Sequence, residues 1–199
     1  MPASKPQIRS AMRQARRALS PLAQRRAALG LARVLGRQLF FRRARHIALY
    51  LANDGEIDPA PLLERAARAG KRIYLPVLHP LGHDRLLFLR HRPSDRLIPN
   101  RYGIPEPALR GGRRAPPWRL DLVCLPLVAF DARGNRLGMG GGFYDRTFAR
   151  APRARTLRPR LVGLAHHFQQ VASLPAEPWD IPLDAIATDA TLLTFRHGT

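Results

Sequence analysis

The segment Asn135 to Arg146, NRLGMGGGFYDR, holds the residues best suited to chemistry. Gly138, Gly140, Gly141 and Gly142 place four glycines within five positions, with Met139 between them. Such a run removes side chains where a ligand must touch backbone, and it frees amide hydrogens to face anionic oxygens. Arg136 and Arg146 bring permanent cations, Phe143 and Tyr144 can stack on a flat ring, and Asp145 offers a hard oxygen ligand for magnesium. A helix N-terminus just beyond the glycines would add a favourable dipole for phosphate. The segment matches neither the P-loop pattern nor GxGxxG, so glycine content alone fits a flexible turn as well as a phosphate cradle.

Several elements must position this segment. Leu120 to Phe130, LDLVCLPLVAF, is the most apolar stretch and reads as a central strand with its exit; Asp131 to Gly134 then make a turn. A helix is expected around Tyr144 to Arg150. His46 to Leu51, HIALYL, reads as a buried strand ended by an NDG turn. Asp58 and Pro59 mark a helix start and Gly70 its stop, and KRIYLPV follows as a second strand. Strand, loop, helix and strand in about thirty residues form a βαβ unit, hence a parallel sheet with helices packed on it. Ligands of such sheets gather at the carboxyl ends of the strands, which is where Glu56 falls. RLLFLR, RLVGLA and DAIAT read as further strands and TLLTF as an edge strand, whereas Arg92 to Arg119 reads as a long surface connection. Within that connection two prolines stiffen the backbone around Glu106, as a pocket wall or a plain turn.

The first forty residues read as two helices, the second capped by Ser20 with Pro21 at its first position. Lys5, Arg9, Arg13 and Arg16 project from successive turns of the first, and a solvated face accounts for most of them. His166 and His167 lack a third metal ligand at suitable spacing, and Trp179 and Tyr102 fit ligand stacking or simple packing.

Composition bounds the rest. With 199 residues, 45% of them hydrophobic, the chain fits one domain spanning 1–199. The start, Met1 to Leu19, shows neither a secretory signal nor a membrane span, so a cytoplasmic location without membrane contact is expected. Cys124 is the only cysteine, which excludes an internal disulfide and a cysteine-built metal cluster. A net charge of +20 raises nucleic-acid binding. However, the basic residues other than Lys5 and Lys71 are arginines spread through every segment, and no aromatic array, helix-turn-helix or zinc spacing accompanies them, so no specific nucleic acid is expected.

RLGMGGGFYDR closely resembles the RLGxGxGYYD signature of the 5-formyltetrahydrofolate cyclo-ligase family. The resemblance covers nearly the whole chain: KPQIR matches a KxxLR-like start, ALYLANDGEI a strand followed by EI, and a GIPEP loop and the WDIPLD stretch follow in order. Phe143 stands where a tyrosine is usual, and Ile8 where a leucine is. The resemblance implies an α/β fold, three-layer and Rossmann-like, with a mostly parallel central sheet and helices on both faces. It implies ATP-dependent closure of 5-formyltetrahydrofolate to 5,10-methenyltetrahydrofolate, with magnesium. Lys5, Arg9, Arg136 and Asp145 would be catalytic. Lys5, Arg9, Arg136, Leu137, Gly138, Met139, Gly140, Gly141, Gly142, Phe143 and Tyr144 would bind ATP. Arg9, Leu51, Glu56 and Met139 to Phe143 would hold the folate, and Asp145 and Asp180 the metal, with Asp184 the alternative to Asp180. A monomer is expected. Another nucleotide-dependent kinase or ligase, or a basic RNA-associated protein, stays open as an alternative.

Overall fold

Helix α1 (Lys5–Arg17) opens with a reciprocal cap, Ser4 Oγ accepting from the Gln7 amide and the Gln7 side chain accepting from the Ser4 amide. Ser20 caps α2 (Pro21–Gly36) through the Ala23 amide at 3.2 Å, and the short α3 (Leu39–Arg43) leads into β1 (His46–Ala48). α4 (Ala60–Arg68) starts two residues after Asp58, whose carboxylate accepts from the Ala60 amide, and β2 (Arg72–Leu78) and β3 (Leu86–His91) follow. The expected surface connection in fact contains β4 (Leu97–Pro99), β5 (Pro105–Pro107), β6 (Arg114–Ala115) and a 3-10 turn at Pro117–Arg119. Next come β7 (Leu122–Pro126), the hairpin of β8 (Ala129–Phe130) and β9 (Arg136–Leu137), then α5 (Phe143–Phe148). β10 (Arg160–Ala165), β11 (Ala185–Thr188) and β12 (Leu192–Thr194) complete the chain. This computed structural model describes residues 3–81, 84–92, 94–109, 111–149 and 158–195, so Arg150, the expected helix end, lies outside the described residues.

The main sheet runs β12-β11-β10-β7-β1-β2-β3-β6. Its five central strands, β11, β10, β7, β1 and β2, are parallel, and antiparallel neighbours close both edges. Taken in chain order, the parallel strands lie as 2-1-3-4-5, a doubly wound arrangement whose order reverses between β1 and β7. Side chains alternate with period two. Ile47, Ile73, Cys124 and Val162 face α2 and α4 through Leu31, Leu35, Leu62 and Ala66. Ala48, Val123, Leu125 and Ile186 face Phe88, Phe130 and Phe148 on the other side. Among the described residues, α5 packs on this second face through Phe143, Tyr144 and Phe148. A third cluster seats Ile8 and Met12 of α1 against Ala129, Leu137 and Leu174, beside the β8–β9 hairpin.

Candidate functional site

β1 and β7, the strands between which the order reverses, both lead into predicted site residues. β1 leaves the sheet into Leu51 and the turn at Asp54 and Gly55, both with positive φ (53° and 72°). β7 leaves it into the β8–β9 hairpin, whose turn is built on Asp131. That carboxylate, fully buried, accepts from the Arg133, Asn135 and Leu174 amides and the Asn135 side chain. Burial alone would raise it, but these bonds outweigh burial and hold it below the usual carboxylate range.

Beyond Leu137 the glycine run stands open: Gly138, Met139, Gly140 and Gly141 are exposed. Two conformations there suit glycine, φ being 101° at Gly140 and 60° at Gly142. Arg9 donates from Nε to the Gly138 carbonyl at 2.9 Å, so the start of α1 lies directly beside the glycine run. The expected dipole is weak, since α5 has six residues; the loop amides and arginines are the stronger anion-binding features. Phe143 packs edge-on to Tyr102 at 6.2 Å between centroids, with the Arg146 guanidinium 5.9 Å from its own centroid. Tyr102 is half exposed despite its contacts with Phe143 and Arg101, and Trp179 is more exposed still.

Arg136 and Asp145 pair directly, and both reach Ile181: the guanidinium donates to its carbonyl, and Asp145 Oδ1 accepts from its amide at 3.1 Å. Asp180 lies next to that contact, its Oδ2 accepting from the Glu177 amide at 2.9 Å. Glu177 in turn binds Lys5 Nζ at 2.8 Å. Lys5, Arg136, Asp145 and Asp180 therefore share one corner, although Arg136 is turned inward, with 7% of its side chain exposed. Asp184 lies elsewhere, buried at the amino end of β11, bonded by Arg158 at 2.9 and 3.1 Å and by the Leu161 amide. It borders a hollow lined by Phe40, Asp121, Arg158, Pro159 and Arg160, at the end of the sheet remote from the glycine run.

No group of three or more His, Cys, Asp or Glu suited to a metal occurs among the described residues. Magnesium needs fewer: one or two carboxylates plus phosphate oxygens suffice, and Asp145 and Asp180 each engage one carboxylate oxygen in the bonds above. The donor set fits that ion.

Glu56 lies in the turn after β1. Its carboxylate accepts from the Asn53 amide at 3.2 Å, and burial pushes it up to about 7 against that bond and the attraction of Arg16. Tyr144 is close enough for Glu56 to add to the rise that burial imposes on its hydroxyl, as is Tyr50, which donates to the Ile57 carbonyl at 2.8 Å. Glu106 accepts from the Leu78 amide and the Asn100 side chain, fastening the β4–β5 hairpin to β2. His166 is buried, its Nε2 donating to the Gly55 carbonyl at 3.2 Å. Burial keeps that ring below its usual range.

Two residues bonded to the predicted site elements escape sequence reasoning. Glu177, the partner of Lys5, is 172 positions away from it and carries no local signal. Arg16, read as part of a solvated face, is 1% exposed and binds Asp54.

A doubly wound α/β protein with an open, arginine-flanked glycine run at its switch point is built for an anionic, nucleotide-like ligand. The match to known proteins is more specific. Residues 1–189 match the 5-formyltetrahydrofolate cyclo-ligase family, and this chain belongs to it. It is 47% identical over 177 residues to the 5-formyltetrahydrofolate cyclo-ligase of Escherichia coli, spanning 89% of this chain and 96% of that one. The Haemophilus influenzae 5-formyltetrahydrofolate cyclo-ligase is 44% identical, over 89% and 93%. The NMR structure of Aquifex aeolicus 5,10-methenyltetrahydrofolate synthetase superposes with a TM-score of 0.82 at 32% identity, covering 98% of this chain and 94% of that one. No helix among the described residues is long and apolar enough to cross a membrane.

Proposed function

We infer that this chain closes 5-formyltetrahydrofolate to 5,10-methenyltetrahydrofolate at the expense of ATP, releasing ADP and phosphate. The assignment of roles rests on the Arg9 bond to the glycine run and on Glu56 lying near Tyr144 at the end of that run, in a chain 47% identical to a named cyclo-ligase. The formamide oxygen is a poor leaving group. It attacks the terminal phosphorus of ATP, ADP departs, and the oxygen becomes part of a phosphate ester. N10 then attacks the activated formyl carbon, the carbon–oxygen bond breaks to release phosphate, and N10 loses its proton as the ring closes. No protein nucleophile is required.

The protein's task is positioning and neutralisation. Lys5, Arg9 and the amides of Gly138 to Gly142 would meet the phosphates, and Leu137, Phe143 and Tyr144 would border the nucleotide. Arg136 anchors the loop and orients Asp145 through their direct pair. On the folate side, Met139 to Phe143 and Leu51 would line the ring. Glu56, ionised, would accept from the pterin amino and amide hydrogens. Asp145 and Asp180 would hold magnesium, which supplies charge screening for the transferring phosphoryl group. We place the enzyme in the cytoplasm as a monomer without a specific nucleic-acid partner.

Purified protein mixed with 5-formyltetrahydrofolate, magnesium and ATP should develop the near-ultraviolet absorbance of methenyltetrahydrofolate. Absence of an ATP-dependent signal would overturn the assignment, and turnover of a different acceptor would favour another kinase or ligase.

A further inference from the structure

Arg16 is among the largest fully buried side chains of the protein, yet it sits on the arginine-rich face of α1. Its Nη2 donates to Asp54 Oδ2 at 3.0 Å and its Nη1 to the Leu127 carbonyl at 3.4 Å, while its buried Nε has no partner among the described residues. Asp54 also receives Arg13 at 2.7 Å and Arg17, so three successive α1 arginines converge on one carboxylate. The backbone is locked at the same place. Gln24 donates to both the Arg16 and Gly55 carbonyls at 3.2 Å, and a Cβ on Gly55 would stand 2.9 Å from the Arg16 carbonyl group. Leu127 follows β7 and Asp54 follows β1, so Arg16 bridges the two exits at the switch point.

Stability is a weak reason to keep a charge there. Buried ion pairs can often be exchanged for apolar side chains without loss, and an unpartnered Nε adds a desolvation cost. Fixing the register of one element against another is the better-attested use of such a pair. Here the elements are α1, which carries Lys5 and Arg9, and the turn that carries Glu56. The apolar hold on α1 is slight, consisting of Ile8 and Met12.

We propose that Arg16 is a positioning residue of the reaction: through Asp54 and the Leu127 carbonyl it holds the phosphate-facing end of α1 in register with the pterin-facing turn. The inference rests on the reading above, in which Lys5 and Arg9 face ATP and Glu56 faces the folate. A second consequence is electrostatic. The groups around Glu56 are Arg16 from α1, Asp54 from its own turn, Tyr50 beyond β1, Tyr144 on α5 and His166 beyond β10. Of the charged pair, Arg16 favours the ionised Glu56 and Asp54 opposes it.

These opposite signs supply the test. kcat/KM for 5-formyltetrahydrofolate is measured against pH in wild type, Arg16→Met, Arg16→Lys, Asp54→Asn and Glu56→Gln. Asparagine is chosen because it tolerates the left-handed backbone at this position. Wild type should show an acidic limb that Glu56→Gln removes. Arg16→Met should move that limb to higher pH and Asp54→Asn to lower pH, each by about half a unit. Both should raise KM for ATP and for folate by roughly tenfold, because one joint serves both half-sites. Arg16→Lys, which keeps the charge, should hold the limb in place and recover part of the KM loss. A merely structural role predicts otherwise: loosening admits water to Glu56 and moves both limbs down. That result, or a KM rise for one substrate alone, overturns the inference. If Arg16→Met does not fold, Asp54→Asn and Arg16→Lys decide it by the same criteria. If Glu56→Gln keeps the limb, the reading of Glu56 fails and the electrostatic consequence with it, while the paired KM rise still tests the register.

Discussion

Replacing Glu56 by glutamine should make the protein more stable in alkali and less able to use folate. In the folded chain burial holds this carboxyl up to about 7, against an ordinary value of 4.5. Between those values the native state keeps a proton that the unfolded chain releases. Stability therefore falls as pH rises through the window from 4.5 to about 7, and below it the group is neutral in both states. The full shift corresponds to about 3 kcal/mol at roughly 1.4 kcal/mol per unit. Glu56 is half-buried, and solvent screening brings the expected effect down to about 1–2 kcal/mol. Glutamine keeps the shape and removes the charge. At pH 8 the variant should melt about 4 °C above wild type, and at pH 4 the two should coincide. Thermal unfolding at both pH values, read by circular dichroism, measures this directly, and kcat/KM for 5-formyltetrahydrofolate at pH 8 should fall at least tenfold in the same protein. A variant that is equally destabilised at both pH values would refute the reasoning, because the carboxylate would then be stabilising through its contacts.

Three further outcomes are expected. Asp145→Asn should lower kcat at least a hundredfold while the folded-state circular dichroism is retained; persistent turnover would remove Asp145 from the metal-binding role. Gly140→Ala should raise KM for ATP about tenfold, since φ is 101° there and a side chain costs roughly 1–2 kcal/mol in that region; an unchanged KM would mean the loop does not hold phosphate in this conformation. Cys124, 1% exposed and with its thiol pushed well up by burial, should resist alkylation at pH 8 until the protein is unfolded in denaturant, and labelling of native enzyme would contradict its place in the sheet.

The sheet was legible wherever an apolar run coincided with a paired strand. RLVGLA is β10 residue for residue, and TLLTF holds the antiparallel edge strand β12. HIALYL overran: β1 ends at Ala48, and although the Leu49 amide still donates to the Tyr74 carbonyl of β2 at 3.0 Å, the register of β1 with its neighbours stops there while burial continues through Tyr50. The connection from Arg92 to Arg119 concealed three short strands, β4 to β6, since two- or three-residue strands rich in proline and arginine carry no period to detect.

The candidate site follows a different logic. Its glycine run could be read as local chemistry, and the family resemblance supplied Lys5, Arg9 and Glu56. What neither could supply is how those groups are held. Lys5 is tied to Glu177, Arg136 and Asp145 to Ile181, and Arg16 to Asp54 and Leu127, across 172, 45, 36, 38 and 111 positions respectively. Side chains bonded over such separations obey no helical or strand period, so a helical wheel put Arg16 in solvent on the strength of its charge. The burial of that charge is set by the topology. α1 must lie against the carboxyl ends of β1 and β7 for its first turns to reach the glycine run, and that placement forces a later turn of the same helix beneath the Asp54 turn. An apolar residue there would pack, but it would not distinguish one axial register of α1 from the next. A guanidinium with two fixed acceptors does.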